Sequence, residues 1–187
     1  MGEQPGFKLT PGFLNRGAMA LVYGDLFMRV LYRVRPYEKV KGSADSLYKK
    51  WSEKVKENLV NGKRKEFNFN IISIIKEFDN LPIIDSRKPK VGVVGEILVK
   101  FHPTANNDIV RVIESEGAEA VVPDLIDFFL YCIYDTKFKA DYLGKSKITK
   151  ALSFVGIEII ESYRKTMRKE LDRSKRFSSP KKINQLA

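Results

Sequence analysis

Apolar residues recur along the first third of the chain at helical intervals. From Phe13 to Leu31, the residues Leu21, Val22, Leu26, Phe27, Val30 and Leu31 fall three or four apart, which predicts an amphipathic helix. Pro36 ends or redirects it, because the residue before a proline disfavours the helical region. Ser43 is placed to cap a second helix over residues 44–59, where Leu47, Trp51, Val55 and Leu59 repeat every four residues. Asn61-Gly62 is a stop signal. Residues 67–80 carry two patterns. Phe67-Asn68-Phe69-Asn70 alternates as a strand does, whereas Ile71, Ile72, Ile74, Ile75 and Phe78 keep helical spacing. The longer pattern predicts helix, closed by Pro82. Residues 81–89 read as a turn-rich linker.

The pattern then changes. Lys90-Val91-Gly92-Val93-Val94-Gly95 is short, nearly continuous and β-branched, the signature of a strand buried on both faces. Asn106 or Asn107 caps a helix running to about Ser115, with Asp108 favourable near its positive end. Gly117 closes that helix, and Glu119 to Pro123 reads as a second short strand. Strand, helix and strand make a βαβ unit, for which a right-handed crossover is expected. A helix from Leu125 to about Tyr134 follows. A long one over residues 147–173 places Leu152, Val155, Ile159, Ile160, Tyr163, Met167 and Leu171 on its apolar side. Ser178-Ser179-Pro180 breaks the pattern. Two parallel strands make a poor sheet alone, since such strands need neighbours and cover on both faces. Either a weak strand hides in a loop, or the chain is part of a larger α/β domain; the second reading is favoured.

Composition narrows the function. Of 187 residues, 43% are hydrophobic and 30% charged, the profile of a globular chain rather than a disordered or fibrous one. No apolar run approaches the roughly 18 residues of a membrane span. The first ten residues read as neither a secretory signal nor, with Gly6 where Ser or Thr is wanted, a myristoylation signal. The net charge of +11 is uneven: residues 164–187 hold 9 basic and 2 acidic residues, whereas residues 61–163 hold 14 and 15. The basic tail comprises Arg164, Lys165, Arg168, Lys169, Arg173, Lys175, Arg176, Lys181 and Lys182. A nucleic-acid binder could carry such a tail, but the favoured reading is a helix that buries Tyr163, Met167 and Leu171 and solvates the rest.

Candidate chemistry is sparse. There is one cysteine, Cys132, and one histidine, His102, so a closed Cys/His metal site within one chain is not expected. Cys132 sits in Phe128-Phe129-Leu130-Tyr131-Cys132-Ile133 and reads as a core residue. His102 reads as a plain loop histidine with no carboxylate nearby in sequence. The strongest cluster is Gly95, Glu96 and Ile97, then Lys100, Phe101, His102, Asn106 and Asn107, between the end of the first strand and its helix. Ligands of open α/β sheets bind there, where backbone N–H groups face outward; the alternative is a turn with a cap. It is not a dinucleotide fingerprint, because the G-x-G-x-x-G spacing is absent. Arg33 and Arg35, beside Pro36-Tyr37-Glu38, could clamp a phosphate or carboxylate. The alternative is that Arg35 pairs with Glu38 or caps helix carbonyls.

These stretches resemble the 2-hydroxyacyl-CoA dehydratase family, in particular its CoA-substrate-specific enzyme activases and activase-related proteins. The likeness covers roughly residues 17–182. It rests on Gly24-Asp25-Leu26, Arg35-Pro36-Tyr37-Glu38 with Gly42 and Ala44-Asp45, then residues 91–97, Asn106-Asn107, Glu116-Gly117-Ala118-Glu119 through Pro123, and Phe177 to Pro180. The resemblance implies Rossmann-like α/β domains around a [4Fe–4S] cluster, and ATP-driven one-electron activation of an enzyme that dehydrates 2-hydroxyacyl-CoA esters. The phosphate loops and the several cluster cysteines of that family are not in this sequence, so no cofactor is expected in this chain.

The expected fold is therefore helix-rich α/β of three-layer type. It has a helical part over residues 1–80 and, over residues 81–187, a partial Rossmann-like βαβ segment with an incomplete sheet and a long C-terminal helix. The expected role is a structural or ligand-facing segment of a dehydratase/activase-like protein in the cytoplasm, not catalytic alone. Its partners would be the remainder of that protein, or a subunit, and an acyl-CoA. Ligand-facing candidates are Gly95, Glu96, Lys100, His102, Asn106, Asn107 and Asp124, with Arg33 and Arg35 as anion or partner contacts. The competing role is a stand-alone nucleic-acid or acidic-partner module using the basic C-terminal helix.

Overall fold

A computed structural model describes residues 10–142 and 147–181. Seven α-helices and two strands are ordered α1 (Pro11–Val34), α2 (Ser43–Asn61), α3 (Arg64–Asp79), β1 (Lys90–Gly92), α4 (Ile97–Phe101), α5 (Ile109–Ser115), β2 (Glu119–Val121), α6 (Leu125–Tyr142) and α7 (Lys147–Arg173). The chain is helix-rich with a small parallel sheet. Among the described residues no helix is long and apolar enough to cross a membrane.

Each of the first helices ends where its sequence dictates. Thr10 Oγ1 accepts a hydrogen bond from Phe13 N at 3.2 Å, and Pro11 stands in the first turn where its missing N–H costs nothing. Pro36 turns the chain through a 3-10 turn, Arg35–Tyr37. The second helix begins differently from the expectation. Gly42, at φ +87°, occupies the cap position, and the capping oxygens come from Glu38, which accepts from Gly42 N, Ser43 Oγ and Ala44 N. A carboxylate there satisfies orphan donors and meets the helix's positive end, which the Ser43 hydroxyl cannot do as well. Gly62, at φ +67°, closes α2 in the left-handed region, with its N–H on Asn58 O.

The core is one cluster drawn from five helices. Met19, Val22, Tyr23, Leu26 and Val30 of α1 meet Trp51 and Val55 of α2, Phe67, Ile71, Ile74 and Phe78 of α3, Ile126 and Leu130 of α6, and Met167 and Leu171 of α7. Each of these buried side chains contributes roughly 1.5–3 kcal/mol. Residues 67–79 are helical because their apolar stripe faces this cluster. The alternating Phe67-Asn68-Phe69-Asn70 puts only Phe67 and Asn70 inside. Tyr23 ties three helices together: its hydroxyl donates to Asn58 Oδ1 at 2.9 Å and accepts from Asn70 Nδ2 at 3.2 Å. Burial raises the pKa of that phenol.

β1 and β2 pair in parallel with Lys90 opposite Glu119, Val91 opposite Ala120 and Gly92 opposite Val121. The expected strand, helix and strand order is present, with α4 and α5 in the crossover. The expected double-sided burial is not. All three residues of β1 are exposed, and Val94, beyond its end, is 81% exposed. No third strand pairs with these two among the described residues, and of the apolar run from Val91 to Val94 only Val93, 8% exposed, is covered.

The α6–α7 pair corrects two further expectations. Cys132 is exposed rather than core. Ile126 and Leu130 set the buried face of α6, and a residue two positions past Leu130 lies near the opposite side of the helix. On α7, Met167 and Leu171 are buried as expected, but Leu152, Val155 and Ile159 are all more than half exposed. The face of α7 turned inward at that level carries Ser153 and Ile157 instead.

Candidate functional site

A cleft of about 850 Å³ opens between α1, α2 and the loop that follows β1, within the size range of small-molecule sites. Its floor is the α1 face that presents Gly17, Ala20, Leu21, Gly24, Met28 and Leu31. Tyr48 and Lys49 of α2 stand on one side; Lys100, Phe101, Pro103 and Asn106 stand on the other. The floor is open where Gly17, Ala20 and Gly24 interrupt its larger side chains. A Cβ added at Gly17 or Gly24 would meet nothing within 4 Å.

One end of the cleft is closed by an ion-paired corner. The Arg35 guanidinium grips Glu114 with two bonds, Nε to Oε2 at 2.7 Å and Nη2 to Oε1 at 2.9 Å, and reaches Asp45 Oδ1 at 3.1 Å. Arg111 also holds Asp45, at 3.1 Å. This bidentate geometry links the 3-10 turn after α1 to α2 and α5, and with only 8% of the Arg35 side chain exposed it is a strong tie. Neither the expected Glu38 pairing nor a free anion clamp is found at Arg35, because Glu38 is occupied at the start of α2. Burial pushes the Tyr32 phenol up beside the corner.

The other end is closed by buried carboxylates. Asp25, 1% exposed, accepts from Leu125 N at 2.8 Å and Ile126 N at 2.9 Å and so caps α6 across 100 residues of sequence. Burial raises Asp25 to about 7, helped by the negative charge of Asp124 and opposed by the two amides and Arg164. Asp124 bridges Arg29 Nη2 at 2.6 Å and Arg164 Nη2 at 3.4 Å. Burial raises its pKa as well, against the pull of Arg29. Arg164 is fully buried and also holds Asp127 at 2.8 Å and Glu161 at 3.2 Å. The expectation that Arg164 is solvated is thereby overturned. It is the cation this group of three carboxylates requires, since buried charges persist only when paired.

The candidates chosen from sequence divide. Lys100, Asn106 and Arg35 line the cleft. Asp124 lies in the buried node behind it. Gly95 supplies a turn at φ +143°. Glu96 is consumed in capping α4 through Leu98 N at 3.1 Å, and Asn106 Oδ1 accepts from Ile109 N at 3.3 Å. Those amides therefore serve the fold rather than an outward anion. His102 is exposed, its Nδ1 3.3 Å from Ala105 N, and Asn107 adopts a left-handed turn. Arg33 binds Glu119 at 2.9 Å and stacks over Tyr37, outside the cleft. The α1 floor was not singled out from sequence. Its signal was present in Gly17, Ala20 and Gly24, small residues on one helical face.

No family model, curated protein or solved structure matches this chain. The chemistry of its donors addresses the cofactors that the resemblance implies. A [4Fe–4S] cluster takes several thiolates, whereas this chain offers Cys132 alone, and among the described residues no three His, Cys, Asp or Glu gather as metal ligands. The residues present do not fit the cluster. The arginines of the basic tail are engaged: besides Arg164, Arg168 pairs with Glu161 at 3.0 Å, Arg173 with Glu170 at 3.0 Å, and Arg176 donates to Phe78 O and Leu81 O. Lys165, Lys169, Lys175 and Lys181 are exposed, and Lys182 lies outside the described residues.

Proposed function

We propose that the chain is a non-catalytic, ligand-facing segment of a cytoplasmic, 2-hydroxyacyl-CoA dehydratase/activase-like protein, and that its cleft receives the acyl-CoA. The observation that carries this reading is convergence. Gly24 and Asp25, Arg35, Asp45 and Asn106 belong to separate stretches of the resemblance, and all five line one cleft. The lining suits such a ligand. An apolar floor can bury an acyl or pantetheine chain, and Lys49 and Lys100 in the lining supply cations for its phosphates. The exposed β1 and the two-stranded sheet support a larger Rossmann-like sheet completed by the remainder of the protein or a subunit.

Calorimetric titration of the chain with a 2-hydroxyacyl-CoA, free CoA and the free hydroxy acid tests this. The acyl-CoA should bind more tightly than either half, and Gly24→Leu, which fills the floor, should abolish binding while leaving the helical circular dichroism unchanged. Equal heats for wild type and Gly24→Leu would show that the cleft is not the site.

A further inference from the structure

A second cavity, of about 320 Å³, lies between α1, β2 and the segment that follows α7. It shares only Met28 and Tyr32 with the cleft. Five of its lining residues are cationic: Arg29 and Arg33 of α1, Lys90 of β1, and Lys175 and Arg176 after α7. Among the described residues that line it, only Glu119 is acidic. The arginines are held in place. Arg29 Nη1 donates to Ser178 O at 3.0 Å and its Nη2 to Asp124 Oδ1 at 2.6 Å; Arg33 Nη1 donates to Glu119 Oε2 at 2.9 Å, and Arg176 Nη1 to Leu81 O at 2.6 Å. The charges around the cavity do not balance. Glu119 serves Arg33 and, at 3.9 Å, Lys90; Asp124 is divided between Arg29 and Arg164; Asp79 stands 4.0 Å from Arg176. Three carboxylates against five cations leave an excess of two positive charges.

We propose that this cavity binds the phosphate group of a small phosphate monoester. Above its second pKa of about 6, such a phosphate carries close to two negative charges and three acceptor oxygens, which matches the excess. Guanidinium groups fixed in advance suit it, because their planar donors lose little freedom on binding an oxyanion. The volume is at the lower end of small-molecule sites and exceeds what a free phosphate ion fills. Met28, Val122 and Phe177 in the lining offer apolar surface to the remainder of the molecule. The five cations line one cavity rather than a groove, and a nucleic-acid strand is tracked by a groove. The proposal does not depend on the reading of the cleft.

Calorimetric titration of the full chain at pH 8 and fixed ionic strength tests the proposal, with phenyl phosphate, phenyl sulfate and inorganic phosphate as probes. Phenyl phosphate should bind at one site, about tenfold more tightly than phenyl sulfate, which has the same shape and one charge fewer. It should also bind more tightly than inorganic phosphate, which lacks the apolar part. Lys90→Ala and Lys175→Ala alter exposed side chains and so keep the fold, and each should weaken binding about threefold. Lys100→Ala, in the cleft, and Lys165→Ala, elsewhere on α7, should not weaken it. Equal affinity for phenyl sulfate, or equal weakening by Lys165→Ala, would reduce the cavity to a basic surface that attracts any anion. Weakening by Lys100→Ala instead would move the phosphate to the cleft, and inorganic phosphate binding as tightly as phenyl phosphate would assign the cavity to the free ion. Each of these results, or no heat from phenyl phosphate, would overturn the proposal.

Discussion

The first half of α7 is the richer in apolar side chains, yet more of them stay exposed than in the second half. Met167 and Leu171 are fully buried, because α1 and α3 both lie against that end of the helix. Leu152, Val155 and Ile159 are more than half exposed, because at their level α7 touches α6 only through its Ser153 and Ile157 side. A periodic apolar row specifies which face of a helix can be buried. Whether anything covers it depends on where other elements end, and α3 begins at Arg64, too late to reach the first half of α7. The node at Arg164 marks the boundary between the halves: it fastens α7 to α6 and, through Asp124 and Arg29, to α1.

Breaking that boundary should have the largest effect. Arg164→Ala leaves Asp124, Asp127 and Glu161 without their shared cation, and a loss of about 3–5 kcal/mol is expected from urea denaturation. A loss under 1 kcal/mol would mean that the node does not hold the halves together. Met167→Ala, in the covered half, should cost about 2–5 kcal/mol through lost burial and a cavity. The same truncation at Leu152, which is 66% exposed, should cost less than about 0.5 kcal/mol. Equal costs at the two positions would remove the distinction.

The node also sets a pH dependence. Asp25 has a pKa of about 7 in the fold, against 3.8 for the free side chain. The folded chain therefore holds this proton more tightly than the unfolded chain. Its contribution to stability is greatest below pH 4 and is lost as pH rises from about 4 to about 7. Asp25→Asn keeps an acceptor for one α6 amide and cannot ionise. Compared with wild type, it should lose less stability between pH 5 and pH 8 in parallel urea titrations; identical slopes would show that Asp25 does not titrate in this window.

Much of this architecture was legible in the sequence. The stripes of α1, α2 and α3, the Gly62 stop and the parallel strand pair follow from local spacing and turn chemistry. What escaped were features set by long-range partners. Asp25 caps α6 from 100 residues away, Glu38 takes the place of Ser43, and Arg164 is drawn inward by carboxylates on α6 and α7. Cys132 was misplaced because a dense apolar run does not show which side of its helix finds cover. Of the site, the loop wall at Lys100 and Asn106 was legible, whereas the floor was not, since small residues are noticed only when something large fails to fill the space above them.

A smaller effect bears on that floor. Gly24→Ala adds a methyl group to open space and removes glycine's entropic cost within a helix, so it should stabilise the chain by about 0.5–1 kcal/mol. Destabilisation in a thermal melt would mean that the floor is closer packed than the cleft requires.

The most direct test of the ligand-facing role is amide hydrogen exchange with and without a 2-hydroxyacyl-CoA, performed at 1 μM protein. Added ligand should slow exchange in residues 17–31, 45–49 and 97–108, the three walls of the cleft, and leave residues 148–159 of α7 unchanged. Protection confined to residues 148–159, or no protection anywhere at saturating ligand, would contradict the account.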